Sequence, residues 1–157
     1  MVMRSAVVSV AICVAYFALP MSDLGGAGIT TLILGLIGLT VLLIWQIRAI
    51  VHSPYPLARA IEALAVSVPL FLAIFASTYY LMGQAEPSSW SEPISRLDAA
   101  YFTVTIFATV GFGDITAVSD TARAVTTLQM IADVILVGLA ARVVVGAVKE
   151  GLRRQEH

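Results

Sequence analysis

Thr109-Val110-Gly111-Phe112-Gly113-Asp114 stands between two long apolar segments and directly follows an amphipathic helix pattern, residues 95–108. Inside a bilayer, backbone carbonyls go without partners only where they line a water-filled path or hold a ligand, so a glycine-spaced, non-helical stretch at that depth needs a reason. A dehydrated cation supplies one. Gly111 and Gly113 lack a Cβ and take φ > 0 at no steric cost, which lets successive carbonyls point the same way into a lumen. The stretch therefore predicts a ladder of oxygens rather than a strand or a helix.

Composition places the rest of the chain around that ladder. Of the 157 residues, 59% are hydrophobic and 12% charged, and the mean hydropathy is +0.94, so there is too little polar surface for a soluble domain. The single Cys13 excludes an intrachain disulfide framework and a cysteine metal site, and reads as a small buried hydrophobe. A net charge of −1, with neither a basic stripe nor a Cys/His cluster, removes nucleic acid as a partner. His52 and His157 are isolated and no catalytic dyad accompanies them, so no enzyme chemistry is expected.

Four segments have the length and polarity of membrane-spanning helices, which need about 20 apolar residues: residues 5–21, 28–51, 60–83 and 121–148. The first is the shortest, and the Arg4 flank gives it the look of a secretory signal peptide, although a retained helix is expected. Trp45, near the end of the second, suits a headgroup boundary. The short connections at 21–28 and 83–94 carry no Lys or Arg, whereas Arg48, His52 and Arg59, and then Lys149, Arg153 and Arg154, cluster elsewhere. By the positive-inside rule the basic clusters are cytoplasmic, as are both termini, and the 109–114 stretch lies toward the outer face.

Ser95 begins a Ser-x-x-Asp capping box with Asp98, and Pro93 lies just upstream, so the short helix starts at residue 95 or 96. Ending near Ala108, it is too short to cross a core that needs about 20 residues. It dips in and returns. Its C-terminal end carries partial negative charge and favours a cation at the membrane centre.

Residues 88–150 resemble the pore region of potassium channels: re-entrant pore helix, TVGFGD selectivity filter, inner helix. The resemblance implies that the filter residues Thr109, Val110, Gly111, Phe112 and Gly113 bind K⁺, the ligands being the main-chain oxygens of Thr109, Val110, Gly111 and Phe112 with the Thr109 hydroxyl. One loop supplies one side of a cage, so a homotetramer is implied. Asp114 is expected to brace the loop, with Thr105 and Phe102 behind it as filter support. Phe112 replaces the family's usual tyrosine, Phe102 its frequent tryptophan, and Ala108 a frequent threonine. At Thr105 some members carry a carboxylate paired to the equivalent of Asp114. A loosely tied filter, held by packing and prone to inactivation, is the expectation.

The fourth segment is the inner helix by the same resemblance, with Asp133 near the family's hinge glycine. Ionisable residues at membrane depth read as functional. Gln129 is one turn earlier on the same face, so the two form either polar rings near the cavity or an interhelical hydrogen bond. Arg142, nine residues beyond Asp133, lies on the opposite helix face. It either pairs with Glu62 of the third segment or snorkels to the headgroups. Gly138 and Gly146 suit close packing or a bend.

No segment carries arginines at every third position, so a voltage sensor is not expected. With the chain ending soon after Lys149, neither is a cytoplasmic ligand domain. The expected architecture is an all-α membrane protein with four transmembrane helices and a re-entrant pore helix and filter between helices 3 and 4. Residues 1–57 form an N-terminal two-helix region that packs peripherally. Residues 58–150 form the pore domain (outer helix 58–83, pore helix 95–108, filter 109–114, inner helix 121–149), and 151–157 a short cytoplasmic tail. The expected function is passive, potassium-selective permeation in a cell membrane, in keeping with a bacterial inner membrane, with membrane lipid as surroundings and no cofactor beyond permeant K⁺. A weakly selective cation channel and a non-conducting scaffold or regulatory subunit are the alternatives.

Overall fold

Long apolar runs become helices, and the computed structural model of the protein, which describes residues 2–18, 28–51 and 56–155, is built of them: α1 (Val2–Ala18), α2 (Gly28–Val51), α3 (Pro56–Ala85, with Pro69 inside it), α4 (Arg96–Phe107) and α5 (Asp120–Gln155). No strand occurs among the described residues, apart from an isolated bridge between Trp90 and Ala117. Apolar windows long enough to cross a membrane run over Ile29–Gln46, Ala58–Ala85 and Asp120–Arg142, and a shorter one over Ala6–Ala18. The chain is an all-α membrane protein. Pro20, His52, His157 and the 21–27 connection lie outside the described residues, as do the side chains of Arg4, Lys149, Arg153 and Arg154.

α3 is the axis of the molecule, and α1 and α2 each pack along it. The α2 contact is close because Gly35 leaves room for Ile74, whose Cγ2 lies 2.7 Å from where a Cβ at residue 35 would be. Near the other end of α2, the Ser67 hydroxyl donates to Gln46 Oε1 at 2.9 Å, satisfying two polar side chains that lipid would leave unpaired. α1 docks through the Ser9 hydroxyl, which donates to the Ala65 carbonyl at 2.5 Å, and through buried Tyr16, which packs in a cluster with Ala76 and Leu81. That strip is narrow. Cys13 is therefore exposed rather than buried, which corrects the reading of it as a core residue.

The 83–94 connection is not a free loop. Ser91 N–H donates to the Thr116 carbonyl at 3.0 Å and Val118 N–H to the Ser89 carbonyl at 2.8 Å, and the Ser91 hydroxyl accepts from Thr116 N–H at 3.0 Å. The segment before α4 is thus stitched to the segment after residue 114. Beneath it Tyr79, Trp90 and Phe102 meet pairwise edge to face, at centroid distances of 5.3, 5.2 and 5.0 Å, an arrangement favoured by the ring quadrupoles. Phe75 and Phe71 extend this aromatic core down α3.

Candidate functional site

α4 positions the site. Its N-terminus carries the complete capping box: Asp98 N–H donates to Ser95 Oγ at 3.2 Å and Ser95 N–H to Asp98 Oδ2 at 2.8 Å. At 12 residues it is about 18 Å long, too short to cross a bilayer core of about 30 Å. Beyond Phe107 the chain reverses on itself. Val110 N–H and Gly111 N–H both donate back to the Thr105 carbonyl, at 2.9 and 3.3 Å, and Thr109 N–H donates to Ile106 at 2.9 Å.

The backbone then alternates. Thr109, Gly111 and Gly113 have φ of 58°, 52° and 78°, the left-handed region, while no positive φ occurs at Val110 or Phe112. For β-branched Thr109 that region costs of order 1–2 kcal/mol, strain retained only where surrounding structure holds it. Alternation of hand is what turns successive carbonyls to one side. Residues 109–114 are all exposed in the single chain, Phe112 by 70%.

Phe112 has no hydroxyl, yet the loop is tied by one. Tyr101, on α4, donates its hydroxyl to Asp114 Oδ2 at 2.7 Å, and its ring lies parallel to Phe112, centroids 6.3 Å apart at 3°. Packing alone does not hold the loop, so that part of the expectation is corrected. Tyr101 escaped the sequence reading because which face of a short helix meets the returning chain is decided by the reversal at Ala108, not by spacing. Thr105 supports through its main chain; its hydroxyl donates to Phe102 O, 2.8 Å away in its own helix, rather than to Asp114. Phe102 is buried in the aromatic core behind the loop.

The Tyr101 hydroxyl holds the Asp114 carboxyl below its ordinary 3.8, and Asp114 in turn raises the Tyr101 hydroxyl above its ordinary 10.0. A lowered carboxyl contributes its stabilisation above its unfolded value and loses it as pH falls through the lowered one; a raised phenol contributes below its unfolded value and loses it as pH rises through the raised one. The tie is intact throughout the neutral range. Between about pH 5 and 8 the loop's conduction should therefore be insensitive to this pair. Tyr101→Phe should hasten the decay of flux severalfold at constant driving force. Decay kinetics identical to wild type would remove the tie's role.

Gln129 and Asp133 face inward. Gln129 is fully buried and Asp133 is 4% exposed, on the α5 face that also buries Ala122, Val125, Thr126 and Leu136 at helical spacing against α3 and α4. Tyr79 donates to Gln129 Oε1 at 2.7 Å, and Gln129 Nε2 donates to the Thr103 carbonyl at 3.0 Å and to Asp133 Oδ2 at 3.4 Å. Within the subunit Gln129 bridges α5 to α3 and α4, while the one hydrogen bond to Asp133 comes from Gln129 in its own helix; the expected polar rings concern an assembly of several chains. Asp133 Oδ1 is buried without a partner.

Glu62 lies 3.9 Å from Arg59, one turn away in α3, and no ion pair joins it to Arg142 among the described residues. Among the described residues Leu136 is the last buried one of α5, and Arg142 is exposed. It lines a shallow groove of about 370 Å³ with Gly138, Ala141, Val145 and Gly146. α5 continues unbroken through both glycines.

Residues 67–150 match a family model described as an ion channel, a span that begins inside α3 and takes in α4, the 109–114 loop and most of α5. No curated protein and no solved structure matches the chain.

Proposed function

We propose that this chain, which belongs to the ion channel family, conducts K⁺ selectively and passively through a homotetrameric pore. The observation that carries the reading is the left-handed backbone at Thr109, Gly111 and Gly113, which suits a single file of carbonyls. In it the main-chain oxygens of Thr109, Val110, Gly111 and Phe112, with the Thr109 hydroxyl, replace the hydration shell of the ion. The open side of the loop, where Val110 and Phe112 are 52% and 70% exposed, accommodates further copies. Tyr101, Asp114, Thr105 and Phe102 hold the oxygens in place. The C-terminal end of α1 meets the N-terminal end of α4, which puts these two ends on one side of the membrane, and the basic residues Arg48 and Arg59 at the opposite ends of α2 and α3 support the orientation with both termini cytoplasmic. The setting proposed is a multi-pass protein of a bacterial inner membrane, with no enzymatic step.

The test is potassium-driven flux into proteoliposomes of the purified protein, with sodium replacing potassium and barium added as blocker. Barium-sensitive flux that disappears in sodium is expected. Equal flux in sodium would replace the reading by a weakly selective cation channel. Absence of flux, together with co-assembly on another channel, would replace it by a scaffold or regulatory subunit.

A further inference from the structure

The pore helix is gripped at both ends, and the grip at its first residue comes from the other end of the sequence. Arg96 opens α4. Its guanidinium donates to the carbonyls of Phe17 at 2.9 Å and Tyr16 at 3.4 Å. In return the Tyr16 hydroxyl donates to the Arg96 carbonyl at 2.6 Å. The same guanidinium lies 5.1 Å from the ring centroid of Tyr80 on α3, within cation–π range.

The chemistry of each group fits its place. Phe17 and Tyr16 are in the last turn of α1, whose final carbonyls have no partner in their own helix and carry the negative end of its dipole. A cation is the complementary group there, and one guanidinium nitrogen of Arg96, Nη1, donates to both carbonyls, while the guanidinium plane reaches the Tyr80 ring. Tyr16 is 6% exposed, so its hydroxyl needs an acceptor; Arg96 O is within reach. The contact is reciprocal, charge-assisted and half-enclosed by the Tyr80 ring.

What α4 carries at its other end makes this more than anchorage. The Thr105 carbonyl receives Val110 N–H and Gly111 N–H, and Tyr101 holds Asp114. One short, capped helix therefore links the clasp to the carbonyl ladder, and a shift of its outer end moves both attachments of the loop.

We propose that Tyr16 and Arg96 are positioning residues through which α1 sets the pose of the pore helix, and with it the fraction of time the filter conducts. This gives the first helix a task in the pore and rests on the channel reading above. Neither side chain touches the permeating ion, so the unit current and the preference for K⁺ are unaffected by the clasp. Only the balance between conducting and non-conducting filters responds to it.

The test uses Tyr16→Phe, Arg96→Gln and the double variant in the full chain, with single-channel recording in planar bilayers. Each single substitution should change open probability about fivefold, the low end of ordinary coupling between sites. The double variant should do no more than the larger single one, with unit conductance and reversal potential in mixed potassium and sodium unchanged. Arg96→Lys, which keeps the charge and an N–H donor but not the guanidinium plane beside Tyr80, should recover part of the effect. Open probabilities equal to wild type, or effects that add, would overturn the clasp, as would a changed reversal potential. Amide hydrogen exchange of the pore helix supplies a readout that does not depend on conduction. Faster exchange in Tyr16→Phe is expected, and unchanged exchange would overturn the proposal. A wild-type chain that passes no ion would defeat the channel reading, while exchange would still decide the clasp.

Discussion

Gly111→Ala or Gly113→Ala is expected to abolish cation flux and to leave the proposed oligomer intact. At neither position would a Cβ meet another atom of the same chain within 4 Å, so space within the subunit is not what forbids the side chain. The backbone is. φ of 52° and 78° costs an L-residue of order 1–2 kcal/mol, and the proposed fourfold assembly repeats the cost in every copy. The cheapest relief is rotation of the peptide plane, which turns its carbonyl out of the lumen. Thr109 already bears a positive φ, held by the hydrogen bond from its N–H to Ile106, so the loop has little tolerance left for a second strained residue. The measurement is potassium flux beside the elution volume of the purified variant. Flux within about twofold of wild type would show that a uniform carbonyl direction is not required; loss of assembly would move the effect from the filter to folding.

What the sequence made legible divides along physical lines. The bounds of α4 were readable because a capping box is local chemistry: Ser95 and Asp98 are three residues apart, and both bonds form. The long helices were readable because length and hydropathy decide them, and α2 spans Gly28–Val51 as its apolar run implies. The glycine positions announced the left-handed backbone, although Thr109 did not, since a β-branched residue argues against that conformation on its own. The azimuth of each helix was not readable. Asp133 and Gln129 share a face by spacing, but whether that face meets a lumen or α3 depends on tertiary packing. Arg96 and Tyr16 are 80 residues apart, and nothing in either local sequence names the other. The same limit hid Tyr101. Glu62 met Arg59 because a neighbour one turn away is within reach, whereas Arg142 is exposed on α5.

The second large effect sets Gln129 against Asp133, one turn apart on the same buried face, with opposite consequences for replacement by leucine. Gln129→Leu removes the Gln129 acceptor of the Tyr79 hydroxyl and the donor to Thr103, breaking a buried network in which Thr126 is the partner left to Tyr79. The expected loss is about 1–3 kcal/mol per subunit, the usual range for orphaning a buried group, moderated by the modest worth of hydrogen bonds in membranes. Asp133→Leu gives up a single long contact at 3.4 Å and disposes of a buried oxygen that has no partner. Because leucine repeats the branched four-atom shape of the aspartate side chain with apolar atoms, stability should be unchanged or raised by up to about 1 kcal/mol. Thermal dissociation of the proposed assembly, followed by gel filtration after heating, separates the two: the midpoint should fall for Gln129→Leu and hold or rise for Asp133→Leu. If Asp133→Leu lowers unit conductance severalfold, the carboxylate reaches the permeation path in the proposed assembly, as the ring expected from sequence requires.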